Sequence, residues 1–294
     1  MIYNSGPSKG DFDMQKILVA LLALTWFGLP LANAADNERL AAALAAQPDN
    51  VQVRYQHRHP GETLEFFGIE PGMTVVDALP GGGWYTQILL PYLGEDGTVI
   101  GADYSVDVWT AIGYDGEEFL GKRKTWVKDW TATAETWRGT DSAGVAAFVL
   151  GSLSDSRHGT ADAVLFVRAL HNLAYPTADA RHLAEAIQDA FDVLKPGGIV
   201  GVVQHHARDN MPDTWANGEN GYLKKGYVTD MMEAGGFEFV AESAVNANAK
   251  DVPTTEQFVW RLPPGYDGAD SPEDKAKVDA LGESNRMTLK FRKP

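Results

Sequence analysis

Residues 71–86, PGMTVVDALPGGGWYT, restrict what this chain can fold into more than any other stretch. Residues 73–78 read as a buried strand carrying one acid, Asp77, next to its end. Gly81, Gly82 and Gly83 make a turn, and a helix begins near Trp84. Such a turn lets the backbone pass close to a ligand, because glycine has no Cβ. The helix that follows aims its free N–H groups into the same space. Strand, acid, glycines and helix in that order make the nucleotide-pocket arrangement of doubly wound α/β folds, whose ligands sit beyond the carboxyl ends of the strands. The glycines alone are also compatible with an ordinary tight turn between strand and helix.

The chain downstream supports the first reading, because strand and helix patterns alternate. Further strands are expected at 98–102, ending at Asp103, at 125–128, ending at Asp129, at 163–167 and at 199–203. Helices are expected at 86–93, 107–119, 178–194 and 221–234. The apolar piece 145–150 reads as an inserted strand or as a helix. A sixth strand follows at 237–243. The last segment, 287–292, alternates as a strand does. No convincing helix stands between these two, and a parallel return needs a crossover, so the seventh strand is expected to be antiparallel. The fold class is therefore α/β, a doubly wound, mostly parallel seven-stranded sheet with an antiparallel last strand. Residues 246–286 form an irregular insertion.

Ahead of the sheet, residues 35–67 read as an N-terminal helical segment. It has a helix at 37–47 capped by Asp36, a polar knot RYQHRHP at 54–60, and a short helix at 61–67. The knot is placed to fold over the mouth of the pocket as a lid. Residues 1–34 read as a signal peptide with Met14 as the start. Lys16 supplies a basic charge, 17–31 an apolar run, and Ala32-Asn33-Ala34 a cleavage site after Ala34. The expected product is exported to the periplasm and free of the membrane after cleavage; an uncleaved anchor is the other reading. With 44% hydrophobic residues the chain can build one large core. The net charge of -15 argues against nucleic acid as a partner, since phosphate binding needs a basic surface. There is no cysteine, so thiolate chemistry is excluded.

Several of these stretches carry a family resemblance. Arg58-His59-Pro60, the run Pro80 to Thr86, Gly101-Ala-Asp103-Tyr104, His171-Asn172 and Leu194-Lys-Pro-Gly-Gly198 together resemble a subgroup of exported bacterial "predicted methyltransferases". The span from about residue 67 to the end resembles the class I S-adenosylmethionine-dependent methyltransferases. The resemblance implies S-adenosylmethionine as cofactor and a small-molecule acceptor. It places Asp77, Gly81, Gly82 and Gly83 beside the methionine moiety and ribose, Asp103 on the ribose hydroxyls, and Asp129 on the adenine amino group. The usual first motif reads acid-x-Gly-x-Gly-x-Gly. Here Leu79 replaces the first glycine and Pro80 follows, so the methionine end of the pocket is expected to be reshaped or crowded.

Methyl transfer from a sulfonium needs an acceptor held in line, and a base where the acceptor must lose a proton. The end of the fourth strand offers Arg168, His171 and Asn172; the end of the fifth offers His205 and His206. His171 or His205 is the expected base or orienting group, and Arg168 the grip on an anionic substrate. Each is equally at home as a satisfied polar residue at a strand end. Tyr55, Trp84, Tyr85, Trp215 and Trp260 could wall the acceptor site or pack in the core. The spacing of His57, His59, His205 and His206 does not support a closed metal site. Two other functions compete. One is an exported binding or sensing protein that keeps the fold without catalysis. The other is a nicotinamide-dependent oxidoreductase, which fits less well because Thr86 stands at the third glycine position.

Overall fold

The central strands are buried on both faces, and their side chains divide by parity between two cores. In the computed structural model, which describes residues 32–175 and 180–294, β1 (Thr74–Ala78), β2 (Thr98–Asp103), β3 (Gly144–Val149), β4 (Ala161–Val167) and β5 (Leu194–Ala207) are parallel neighbours. Val76, Ile100, Val164, Phe166 and Val202 point into one core. Val75, Val99, Ala163, Leu165 and Val203 point into the other. This period of two, with helices on both sides, is what makes the strands read as nearly continuous hydrophobic runs.

The sheet order is β3-β2-β1-β4-β5-β8-β7. β7 (Glu238–Ser243) is the outer strand. β8 (Arg286–Arg292) lies between it and β5, antiparallel to both, as expected for the last strand. A two-residue strand, β6 (Leu223–Lys224), pairs with the end of β5 and raises the count to eight. It occupies the start of the helix expected at 221–234, and the helix itself begins at Lys225.

In chain order the helices are α1 (Ala32–Ala45), α2 (Asp49–Gln52), α3 (Tyr55–Arg58), α4 (Pro60–Phe67), α5 (Trp84–Leu93), α6 (Val106–Ala111), α7 (Glu117–Lys124), α8 (Trp126–Glu135), α9 (Leu170–Ala174), α10 (Arg181–Val193), α11 (Lys225–Ala234) and α12 (Pro272–Leu281). Leu40 of α1 and Leu64 and Phe67 of α4 join Ile88 and Leu89 of α5 in one core, so the N-terminal helices share the core of the sheet. Phe67 fits there because β5 carries Gly201, where a Cβ would stand 2.7 Å from the Phe67 ring. On the opposite face α10 buries Leu183, Ala186 and Ile187, and α11 buries Val228 and Met232.

Four expectations need correction. Residues 125–128 are not the third strand, because Trp126, Trp130 and Ala134 recur every four residues and bury one face of a helix, α8. The third strand is β3, the piece that could have been read either way. The helix expected at 107–119 breaks at Gly113, whose φ is 96°, into α6 and α7. α1 already runs through Asp36, which therefore does not cap it. The insertion 246–286 contains one regular helix, α12, capped by Ser271 Oγ accepting from Asp274 N at 3.0 Å. Most of the expected leader, residues 1–31, and the expected helix start at 178 lie outside the described residues. Among the described residues no helix is long and apolar enough to cross a membrane.

Candidate functional site

A cavity of about 470 Å³ opens at the carboxyl ends of β1, β2 and β4. That volume lies in the range of small-molecule sites. Leu79, Gly81, Gly82 and Trp84 reach it from the turn after β1, and Asp103 from the end of β2. Trp109, Arg123 and Trp126 come from α6, α7 and α8. Arg168, His171 and Asn172 follow β4, and Trp260 overhangs from the insertion.

The three glycines divide their work. A Cβ on Gly81 or Gly82 would meet no protein atom within 4 Å, so these two leave the cavity wall as bare backbone. Gly83 faces the other way: its φ is 77°, and a Cβ would stand 2.3 Å from the Trp137 ring. It stands at the N-cap of α5 and lets Trp137 pack. Asp77 does not line the cavity either. It is buried and accepts from Thr86 Oγ1 at 2.7 Å, which fastens α5 to β1, and burial pushes its carboxyl up to about 6.

Leu79 solves the missing-glycine problem by adopting the glycine conformation. Its φ is 56°, and its side chain packs against the core that holds Val76 and Ala78. Arg168, at the end of the adjacent strand, has the same left-handed backbone, with φ 58°. Each N–H completes a ladder before the chain turns: Leu79 N donates to Ala102 O and Arg168 N to Val203 O, both at 2.7 Å. Left-handed backbone at a non-glycine residue costs of order 1 kcal/mol, and such positions gather at functional sites.

Asp103 is buried at the cavity wall. Its carboxylate accepts from Arg123 Nη1 at 3.1 Å and Trp109 Nε1 at 3.4 Å. Burial raises its pKa, and the Arg123 charge works against that rise. The Arg123 guanidinium is held over the rings of Phe119 and Trp109, 4.8 and 5.3 Å from their centroids. Asp129 is elsewhere. It is exposed in the first turn of α8 and accepts from Thr125 Oγ1 at 2.5 Å, so the position assigned to the adenine amino group has to be given up. The error follows from reading α8 as a strand end.

Past the glycine turn, His171 is buried with its Nδ1 3.4 Å from Gln204 Oε1. Gln204 Nε2 donates to Gly221 O at 2.9 Å, which leaves Oε1 to accept from His171 Nδ1–H and Nε2 of the imidazole as its lone-pair nitrogen. Burial lowers the His171 pKa to about 4, with Arg168 adding to the fall, so the ring is neutral at pH 7. His205 stands behind it, ring centroids 5.3 Å apart, with Nδ1 2.6 Å from Ser284 Oγ. It does not line the cavity, and burial holds its pKa well below the usual histidine value. Of the five aromatic residues singled out in the sequence, Trp84 and Trp260 reach the cavity. Tyr55 meets Trp84 edge-on, Tyr85 is buried, and Trp215 stacks on Tyr222 in a separate core.

The polar knot packs beside this wall. The Arg58 guanidinium lies over the Trp84 ring, 4.8 Å from its centroid, and Arg54 and Arg58 both pair with Glu283. Among the described residues no group of three or more His, Asp or Glu could hold a metal ion. Sequence reasoning missed Arg123, Trp109, Glu283 and Arg286. Trp109, six residues beyond Asp103, was the one with a local signal.

No family model matches the chain, and no curated protein sequence does. Solved structures of similar shape include the [4+2]-cyclase SpnF, at 18% identity and a TM-score of 0.47, covering 90% of this chain and 94% of that one. A SAM-dependent methyltransferase from Aquifex aeolicus is similar at 14% identity and 0.43, over 86% of this chain and 97% of its own. An arsenic(III) S-adenosylmethionine methyltransferase from Chlamydomonas reinhardtii is similar at 15% and 0.44, over 86% and 72%.

Proposed function

We propose that this protein is an S-adenosylmethionine-dependent methyltransferase acting on a small-molecule acceptor. The observation that carries the reading is the position of Asp103 and the bare Gly81–Gly82 backbone on neighbouring strand ends of one cavity, with Arg168 and His171 on its far side. The residues fit the cofactor. Two glycines leave room for it, a buried carboxylate faces the place of a ribose, and Trp109 and Trp126 offer flat apolar walls for a base. When bound, S-adenosylmethionine supplies an electrophilic methyl group on a sulfonium.

The chain's own part is positioning. Asp103 accepts from hydroxyl groups once Arg123 releases it. His171 Nε2 accepts a hydrogen bond, or a proton, from the acceptor, with Gln204 holding the ring. A pKa near 4 makes His171 a weak base, which suits an acceptor that is already a good nucleophile. The same weakness is the observation that favours the second reading, a binding protein without turnover. Export rests on the pattern of residues 14–34 and is proposed on that ground; amino-terminal sequencing of the secreted protein tests it, a start at Ala35 being the expected result.

Calorimetry with S-adenosylhomocysteine tests the reading. Saturable binding that Asp103→Ala weakens tenfold or more, about 1.4 kcal/mol, is the expected result. Absence of binding at millimolar ligand overturns it. A methyl-transfer screen then separates enzyme from sensor.

A further inference from the structure

An arginine cluster lies against the acceptor side of the cavity with too little negative charge to match it. Arg58 Nε reaches the Glu283 carboxylate at 3.1 and 3.3 Å, Arg286 Nη1 reaches it at 3.3 Å, and Arg54 pairs with it as well. Glu283 and Arg286 are each only 3% exposed. One carboxylate thus serves three guanidiniums. Arg168 is the fourth member. Its charge is felt by Glu283, it feels those of Arg58 and Arg286 in turn, and it makes no ion pair or side-chain hydrogen bond of its own among the described residues. Burial and the neighbouring charge of Arg58 lower its pKa to about 9.

Such clusters are stable when an anion completes them, because a buried charge costs several kcal/mol unless it is paired and hydrogen-bonded. Three residues that line the cavity carry a buried donor without a partner: Arg123 Nε on the Asp103 side, and Arg168 Nε and the indole Nε1 of Trp84. Trp84 is also the ring beneath Arg58. A guanidinium and an indole N–H, both from residues lining one cavity, suit the oxygens of a carboxylate or phosphate.

Strand order decides whose anion it is. Asp103 ends β2, the glycine turn follows β1, and Arg168 ends β4, on the far side of β1 from β2. A nucleoside held on Asp103 and extended past the glycines reaches β1. The space at β4, two strand spacings or roughly 10 Å from β2, is left for the second substrate.

The geometry points to a subsite in which Arg168 and Trp84, backed by Arg58 and Arg286, hold a carboxylate or phosphate group of the methyl acceptor. The word acceptor rests on the methyltransferase reading; the anion site itself does not. The cofactor's own carboxylate is the competing source of the same chemistry, and the test separates the two.

The test uses the full chain, with inorganic phosphate and acetate as probes in a chloride-matched buffer. Thermal unfolding is followed with and without saturating S-adenosylhomocysteine. Either anion is expected to raise the Tm of wild type in both conditions. Arg168→Gln and Arg168→Met, made together so that one folded neutral variant suffices, are expected to lose at least tenfold in anion affinity. Their affinity for S-adenosylhomocysteine should stay within twofold of wild type. No anion dependence in wild type overturns the proposal. So does a variant that binds S-adenosylhomocysteine tenfold more weakly but 5′-methylthioadenosine, which lacks the carboxylate, as well as wild type does. Failure of S-adenosylhomocysteine to bind at all sinks the methyltransferase reading, while the arm without it still decides the anion site.

Discussion

Arg123 Nη1 stands 3.1 Å from Asp103 Oδ2, the same oxygen that Trp109 Nε1 reaches at 3.4 Å. The acid best placed to accept from ribose hydroxyls is therefore already engaged, by a residue 20 positions downstream. On the proposed reading, S-adenosylmethionine replaces that contact when it binds. A charge-assisted hydrogen bond of this kind contributes about 1.5–3 kcal/mol, part of which is lost again as desolvation of the freed carboxylate. Arg123→Ala is expected to tighten S-adenosylhomocysteine binding by roughly fivefold, about 1 kcal/mol. Weaker binding in calorimetry would mean that Arg123 contacts the ligand itself.

The glycine turn separates stability from binding at adjacent positions. Gly83→Ala forces a Cβ to 2.3 Å from the Trp137 ring at a φ of 77°, and should lose about 2–3 kcal/mol in urea unfolding. Gly82→Ala meets no protein atom, so its stability should stay within about 0.5 kcal/mol of wild type while ligand affinity falls at least tenfold. Equal effects on both quantities in the two variants would contradict this division.

Two buried groups near the site titrate in opposite senses between pH 4 and 6.5. His171, lowered to about 4, binds fewer protons folded than unfolded in this window, so its contribution to stability grows as pH rises. Asp77, raised to about 6, binds more protons folded, so its contribution shrinks over the same range. Asp77→Asn keeps the acceptor for Thr86 and removes one of the two. Its unfolding free energy should climb by about 3 kcal/mol from pH 4 to 6.5, from His171 alone. His205, also lowered, adds to the climb, and Asp103, raised by burial, takes part of it away. A flat profile from denaturant curves across that window would refute the assignment.

Glu283 holds α3 to the start of β8 through three guanidiniums. Removing the one carboxylate leaves buried like charges facing each other. Glu283→Gln is expected to cost about 3–5 kcal/mol in urea unfolding. A loss below about 1 kcal/mol would show that solvent already screens the cluster.

The parts legible in the sequence are those set by short-range periodicity. β1, its glycine turn and α5 follow from neighbouring residues, as do β2 ending at Asp103 and the apolar runs of β4 and β5. The antiparallel β8 was expected as well, although a helix, α12, does stand between β7 and β8. The same local reading failed at Asp129. A four-residue window such as Thr125-Trp-Val-Lys128 can be strand or helix, and only the spacing of Trp126, Trp130 and Ala134 distinguishes them.

Chain neighbours alone determined that this protein would be a doubly wound sheet with a glycine turn after its first strand. Tertiary structure decided which groups face the cavity. It turned Gly83 and Asp77 away from it, brought Arg123 to Asp103, and set Glu283 against Arg58 across 225 residues of chain. Backbone preference acts over a few residues and leaves its mark in local spacing. Charge pairing in a buried site acts through space, between residues whose separation along the chain carries no trace of the contact.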